Sequence, residues 1–237
     1  MNKKTFCFIF ARGGSKGIPK KNILPISGLP LLVHSINLAK KLDEVDKIFV
    51  STDCPEISEI AFKNNVEVIK RPLNLAQDDS SEWLAWQHAI KYVEKNQQKF
   101  DRFLSLPTTA PLRNKNDVQR CLEALDKNVD LVLTMSKANR SPWFNMVTSD
   151  ESSKVNLIFH DPKINRRQDT PSCYDLTTIA YVSRPEFIMK SSSMWEGNVH
   201  GVEIPSERCI DIDNPLDYLV AKFLMENGHI PNFLNQN

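Results

Sequence analysis

The stretch TFCFIFARGGSKGIPKKN, residues 5–22, couples a continuous apolar run to a turn rich in glycine and positive charge. Thr5–Ala11 shows no polar alternation, the pattern of a strand whose sheet is covered on both faces. Gly13, Gly14 and Gly17 permit backbone dihedrals closed to other residues and close approach to a ligand. Arg12, Lys16, Lys20 and Lys21 put positive charge at the same point. Backbone N–H groups and cations at the end of a first strand suit a polyphosphate. Either feature alone marks an ordinary turn or a solvated surface. Together they say more, because clustered cations repel one another unless water or an anion lies among them. The spacing fits neither G-x-x-x-x-G-K-[ST] nor G-x-G-x-x-G, since Gly13 and Gly14 are adjacent. A P-loop NTPase and a classical dinucleotide site are both disfavoured.

Outward from this turn, strand and helix patterns alternate. Lys47–Ser51, Val66–Ile69, Asp101–Leu106 and Leu131–Met135 read as strands. Leu31–Leu42, Pro55–Asn64, Ser81–Lys95 and Asn114–Leu125 read as helices, with Asp53 or Cys54 capping the second. The order predicts an α/β protein with a Rossmann-like, doubly wound, mostly parallel sheet. Residues 137–175 are polar and irregular, and carry Trp143, Phe144 and the cluster Arg166–Asp169. Strands return at Leu176–Val182 and Val199–Ile204, and Asn214–Met225 is a final amphipathic helix. The reading is one domain over residues 1–237, with 137–200 including an insertion that leaves the sheet for substrate contact or dimerisation.

The length of 237 residues suits one large domain, and 41% hydrophobic with 25% charged residues is ordinary for a globular protein. A net charge of +1 gives no overall field for nucleic acid or a membrane, so phosphate recognition has to be local. The five cysteines are scattered, without C-x-x-C spacing, which argues against a disulfide framework or structural zinc; Cys7 and Cys121 read as core thiols. No run is long enough to span a bilayer. The apolar run before the loop is too short for a secretory signal, so a cytoplasmic protein is the default.

In a doubly wound sheet, ligands bind beyond the C-terminal strand ends. Ser51-Thr52-Asp53, Lys70-Arg71-Pro72, Leu75–Asp78, LPTTAPLR (106–113) and Cys209–Asp213 all follow apolar stretches. Asp211 and Asp213, two apart in an extended segment, point to one face and suit Mg²⁺ shared with substrate phosphates. Asp213 has a second explanation as a helix cap, but Asp211, between Ile210 and Ile212, has none. The five histidines lack metal-ligand spacing, and no Ser-His-Asp order or G-x-S-x-G elbow is present. Trp83 and Trp86 read as a core stripe.

ARGGSKGIPKKN, IFVSTD, the RP…LAQDDSS segment, PTTAPLR and IDID, in this order along nearly the whole chain, resemble the CMP-sialic acid synthetase group. That group comprises cytidylyltransferases acting on nonulosonic acids. The resemblance implies a nucleotidyltransferase-type fold, Mg²⁺, and a homodimer whose extended subdomain reaches into the partner. It also implies attack of the sugar acid's anomeric hydroxyl on the α-phosphate of CTP, with loss of pyrophosphate. Arg12, Ser15 and Lys16 would grip the triphosphate, with Lys21 facing it. Asn22 and Arg71 would contact the nucleotide, beside Gly13, Gly14 and Ser80. Thr108, Thr109, Arg113, Arg167, Gln168 and Asp175 would meet the sugar acid, and Asp211 and Asp213 would hold Mg²⁺. Lys16, Lys21, Arg71 and Asp211 would be catalytic.

The chain also departs from that pattern. Pro107 stands where the group carries a sugar-contacting glutamine, Tyr174–Thr178 replaces an Arg-Pro-Asn-Gly stretch, and Glu82 replaces a small serine near the base. Glu82 is read as a helix cap rather than an acceptor for the cytosine amine. The two changes around the sugar pocket favour a legionaminic-type substrate, with N-acetylneuraminate next. KDO or another sugar nucleotidyltransferase, and a nucleotide-binding module without catalysis, are the alternatives.

Overall fold

The computed structural model describes residues 3–96 and 99–228; His229, one of the histidines, lies outside them. In chain order the elements are β1 (Thr5–Phe10), β2 (Pro25–Ile26), β3 (Leu29–Pro30), α1 (Leu31–Ala39), β4 (Lys47–Thr52), α2 (Pro55–Lys63), β5 (Glu67–Lys70), α3 (Glu82–Asn96), β6 (Arg102–Ser105) and α4 (Lys115–Ala124). They continue with β7 (Leu131–Lys137), β8 (Val147–Ser149), β9 (Val155–Leu157), β10 (Tyr174–Ser183), α5 (Pro185–Lys190), β11 (Val199–Glu203) and α6 (Pro215–Asn227).

Seven strands form one sheet in the order β11-β7-β10-β6-β1-β4-β5. All pair in parallel except β10, which runs antiparallel to both β6 and β7. The expected doubly wound, mostly parallel sheet is what forms. The continuous apolar run has its reason in β1. Cys7, Ile9 and Ala11 enter one core with α1, α2 and α4, while Phe6 and Phe8 enter the other with α3 and α5. A period-two strand buried on both faces leaves no position for a polar residue. Trp83 and Trp86 sit in that second core beside Phe103, as the core-stripe reading expects. Cys7 and Cys121 are buried, and burial pushes both thiols up to about 12.

Within 137–200, 138–173 leaves the main sheet, carrying the small β8–β9 hairpin, and 184–198, with α5, connects β10 to β11; β10 and β11 belong to the sheet. The register of β10 against β7 shifts between Thr177 and Val182. There Thr134 Oγ1 accepts from Ile179 N at 3.2 Å in place of a ladder bond. A third small core, with Ile26, Leu31, Ile212 and Ala221, fixes α6 and the 210–213 segment against the start of α1.

Candidate active site

From β1 the chain builds outward through β4 and β5, then crosses to β6 on the opposite side of β1. The crevice beyond β1 and β6 is therefore the topological switch point of the sheet. A cleft of about 290 Å³ lies there. The loop after β1 lines it with Arg12, Gly14, Ser15, Lys21 and Asn22. Arg71 after β5, the 75–82 segment, and Pro107, Thr108 and Thr109 after β6 complete it.

The loop glycines do not take the left-handed backbone that glycine permits; Lys20, with φ 54°, does. Two of them are required by close approach. A Cβ at Gly13 would lie 2.9 Å from Cys54 Cβ, and one at Gly17 would lie 2.1 Å from the Asp213 carbonyl oxygen. Gly14 has nothing within 4 Å of such a Cβ and lines the cleft. Its absent side chain leaves space for a ligand and not for the fold.

The clustered cations find their anions within the chain. Arg12 and Lys16 both pair with Asp78, at 2.9 and 2.8 Å, and Arg12 also donates to Gln77 O. Lys20 pairs with Glu56 and Lys21 with Asp213, each at 2.7 Å. The Lys16 ammonium hydrogen bond leads in holding the Asp78 carboxyl below the usual carboxylate range. Asp53 accepts from Gly13 N at 2.9 Å. It ties the loop to β4 instead of capping α2, whose N-cap Cys54 makes no side-chain cap bond.

Arg71 is buried and donates to Ser51 Oγ and, at 2.7 Å, to Ser51 O. Its guanidinium lies 5.5 Å from the centroid of the Phe10 ring. Burial lowers its pKa to about 10, against the support of Asp53 and Glu82. Asn22 spends its side chain on the fold, donating to Arg12 O at 2.8 Å and accepting from Thr108 Oγ1. Ser80 Oγ bonds Asn74 O and accepts from Gln77 N, closing the 74–80 turn at the cleft wall. Thr109 O accepts from Ile212 N, which joins the loop after β6 to the 211–213 segment.

Asp211 and Asp213 do not lie in a ladder strand, but the extended segment around Ile212 turns Ile212 into the third core and leaves the two carboxylates out of it. Asp213 is not a helix cap: Asn214 caps α6 in a capping box with Asp217. Asp211 Oδ1 is buried with no hydrogen-bond partner among the described residues. Its charge is felt by Glu82, Arg113 and Tyr181, within electrostatic reach of the cleft. An unpartnered buried carboxylate oxygen fits a divalent cation, since such an atom is costly to leave unpaired. Among the described residues no three His, Cys, Asp or Glu side chains are placed to hold a metal ion together, so substrate oxygens and water would have to complete the shell.

Other residues expected at the site lie elsewhere. Arg113 does not line the cleft; it is buried, donating to Ser35 Oγ and, at 3.2 Å, to Ile179 O in the irregular part of β10. Burial lowers its pKa to about 10. Arg167 and Gln168 line a separate cleft with Lys137, Arg140 and Thr170, and Arg167 donates to Asn139 O at 2.8 Å. Asp175 is exposed at the start of β10.

Three cleft residues carry roles that the sequence reading did not give them. Asp78 was visible only as part of LAQDDSS, and Phe10 only as the end of a strand. Glu82 opens α3, and its carboxylate accepts from Trp86 Nε1 at 3.2 Å, so the bond it makes is not a cap. Glu82 is exposed at the cleft mouth, and desolvation by the protein packed around it raises its pKa, with the Trp86 hydrogen bond and Arg71 opposing and Asp211 adding.

A doubly wound sheet whose switch-point cleft joins a glycine loop and several cations, with a carboxylate pair nearby, defines a nucleotide-handling α/β enzyme. The chain belongs to the cytidylyltransferase family, whose model matches residues 6–221. It is 31% identical over 227 residues to post-translational flagellin modification protein B of Campylobacter coli, covering 94% of this chain and 96% of that protein. Two Campylobacter jejuni proteins are each 30% identical. One is a pseudaminic acid cytidylyltransferase, covering 95% of this chain and 98% of that protein. The other is a CMP-N,N'-diacetyllegionaminic acid synthase, covering 92% and 94%. Among solved structures, CMP:2-keto-3-deoxy-manno-octonic acid synthetase complexed with CTP superimposes with a TM-score of 0.70 at 17% identity, covering 95% of this chain and all of that one. The nucleotidyltransferase-type fold is shared with it.

Proposed function

We propose that the chain condenses CTP with a nonulosonic acid to give the CMP-sugar acid and pyrophosphate. The anomeric hydroxyl releases its proton to water and forms a bond to the α-phosphorus as the bond to the pyrophosphate oxygen breaks. Such a displacement needs positioning and charge neutralisation more than covalent help from the protein. The observation that carries the reading is the single cleft at the switch point, where Arg12, Lys21, Arg71 and the open face of Gly14 converge. Arg12, Ser15, Lys16 and Lys21 take the triphosphate, with Arg71 beside the nucleotide. Ligand binding exchanges the Asp78 and Asp213 carboxylates for phosphate oxygens. Asp211 and Asp213 would hold Mg²⁺, which when bound neutralises charge on the phosphates. Asn22 and Ser80 act by shaping the cleft wall.

The sugar acid takes the side of the cleft formed by Pro107, Thr108 and Thr109. Pro107 supplies apolar surface there, which supports a legionaminic-type acid first and N-acetylneuraminate second. Arg167 and Gln168, on a cleft of their own, act on the sugar acid of a partner chain in a homodimer. Exposed apolar residues at the β8–β9 hairpin and its flanks, Val147, Val155 and Phe159, support that pairing. No described helix is long and apolar enough to cross a membrane, and a cytoplasmic setting belongs to the same reading.

The test is pyrophosphate release with CTP, Mg²⁺ and a panel of neuraminic, legionaminic, pseudaminic and KDO acids. Release that requires both CTP and one of the first three is expected. No release with any of them, or release with KDO alone, overturns the proposal.

A further inference from the structure

Asp211 Oδ1 takes no hydrogen bond from the described residues, so the backbone on either side sets where that carboxylate stands. Downstream, Ile212 N donates to Thr109 O at 2.9 Å and Asp213 N to Asp217 Oδ2 at 3.0 Å. Upstream, a single 3-10 turn, Ser206–Arg208, leads into the segment. Arg208 Nε and Nη2 donate from that turn to Asp117 Oδ2 and Oδ1, both at 2.9 Å. Asp117 is fully buried and also accepts from Asn114 N at 3.0 Å, in the capping box that starts α4. Arg208 Nη1 lies 3.6 Å from Glu207 Oε1. Packing around the turn is incomplete. A cavity of about 270 Å³ is lined there by Pro111, Leu112, Arg208, Leu224 and Met225.

Resting on the nucleotidyl-transfer reading above, we infer that Arg208 and Asp117 are positioning residues for that reaction: their ion pair fixes the 209–213 segment against the loop after β6, and so fixes where Asp211 and Asp213 can hold a divalent cation. The 106–113 loop runs from β6 directly into Asn114 and α4. One tie joins Asp117 of α4 to Arg208, and the other joins Thr109 of the loop to Ile212. A single tie would leave a hinge between loop and segment, whereas the pair of ties fixes an orientation. The fork of a guanidinium on a carboxylate is directional and accepts one geometry. A buried ion pair adds little net stability over apolar packing of similar volume, so what it contributes here is placement. Neither residue lines the cleft, and both act through the 211–213 carboxylates rather than on substrate.

The experiment compares the native chain with Arg208→Gln and Arg208→Lys. Arg184→Gln is the control, because Arg184 pairs with Asp130 at 2.8 Å beside the start of β7, at the end of the strands away from the cleft. Amide hydrogen exchange at Ile212 is read without substrate or metal. The Mg²⁺ concentration for half-maximal pyrophosphate release is read with CTP and the most active acid of the panel above. In Arg208→Gln, exchange at Ile212 is expected to speed up by about 10-fold or more. The half-maximal Mg²⁺ concentration should rise by about 10-fold, with the KM for CTP at saturating Mg²⁺ within about twofold of native. Arg208→Lys keeps the charge without the fork and should recover part of both changes. Arg184→Gln should lower Tm and leave both readings native. Either change in Arg208→Gln without the other overturns the inference. A lowered Tm with both readings native overturns it as well, because the pair is then structural only. Should Arg208→Gln fail to fold, Arg208→Lys is read in its place, and native values of both readings in it overturn the inference. A native chain that releases no pyrophosphate with any acid overturns the nucleotidyl-transfer reading as well, which separates the two failures.

Discussion

Gly17 offers a perturbation whose size can be worked from the fold. A methyl group there would sit 2.1 Å from the Asp213 carbonyl oxygen, a backbone atom with no flexible side chain to yield. To reach the 3.0 Å below which real Cβ contacts essentially never occur, the loop and the 211–213 segment must part by about 0.9 Å. Overpacking of this kind costs about 1–3 kcal/mol, and each kcal/mol lowers Tm by about 2–4 °C in a domain of this size. The same displacement separates Lys21 from Asp213, now 2.7 Å apart, and shifts the carboxylates relative to the phosphate loop. A misplacement of about 1 Å in a positioned site is worth roughly 100-fold in rate, or about 2.7 kcal/mol. Gly17→Ala is therefore expected to lose both stability and kcat/KM. Gly14→Ala is the control, because a Cβ there meets nothing within 4 Å and projects where phosphate is proposed to lie. It should keep the native Tm and raise the KM for CTP. Calorimetric melting and steady-state pyrophosphate release measure both. A Gly17→Ala protein with native Tm and kcat/KM would refute the reasoning, and so would a Gly14→Ala protein that loses stability but not CTP affinity.

Asp211→Asn should lower pyrophosphate release by about 100-fold or more while leaving Tm unchanged or higher, because Oδ1 of this half-buried residue is buried and takes no hydrogen bond from the described residues. Native-like turnover removes the metal role from Asp211. Asp78→Asn should tighten CTP binding by a few-fold, about the worth of exposed ion pairs, by releasing Arg12 and Lys16. The folded pKa of Asp78 is lowered, so its pairs are fully present above the ordinary Asp value of 3.8 and are lost only as pH falls through the depressed one. The native-to-variant affinity ratio should be flat from about pH 5 to pH 8; a ratio that drifts within that window points to another group. Arg113→Met should cost about 1.5–3 kcal/mol through its bonds to Ser35 and Ile179 O, with the KM for CTP and for the sugar acid within about twofold of native. An unchanged Tm with a raised sugar-acid KM would return Arg113 to the substrate.

The sheet was legible because β1 feeds two cores at once, and that leaves a signature, an unbroken apolar run, that needs no partner residues to be interpreted. The order of the strand ends then located the cleft. What sequence could not supply was the direction of each side chain once there. Arg113 follows a stiff proline loop like a site cation, but the shifted register of β10 leaves Ile179 O in reach and draws the guanidinium inward. Arg167 and Gln168 sit in a segment that leaves the sheet, so their distance from the first cleft depends on topology and not on spacing. Glu82 stands at a helix start, where an acidic residue ordinarily serves the helix; only the tryptophan four residues on signals another partner, since i and i+4 share a helix face.

The charge on the first loop shows the same limit and gives it a consequence. Four cations close in sequence implied an anion, and the anion in the free protein is the protein itself: Asp78, Glu56 and Asp213 each take a share. Two of those carboxylates stand at the proposed triphosphate site and the third does not. Neither Lys20 nor Glu56 lines the cleft, whereas at least one member of each other pair does, so this pair can hold the loop through the whole cycle. If the triphosphate binds as proposed, Arg12, Lys16 and Lys21 change partners when it arrives. Their carboxylates would then face the phosphates across the same small volume. Under that proposal a divalent cation held by Asp211 and Asp213 would relieve the repulsion at one end, and Asp78 takes no part in holding it. On the proposed reading Asp78 is thus the group that swings clear, and its exposure, 43% of its side chain, leaves room for it to do so.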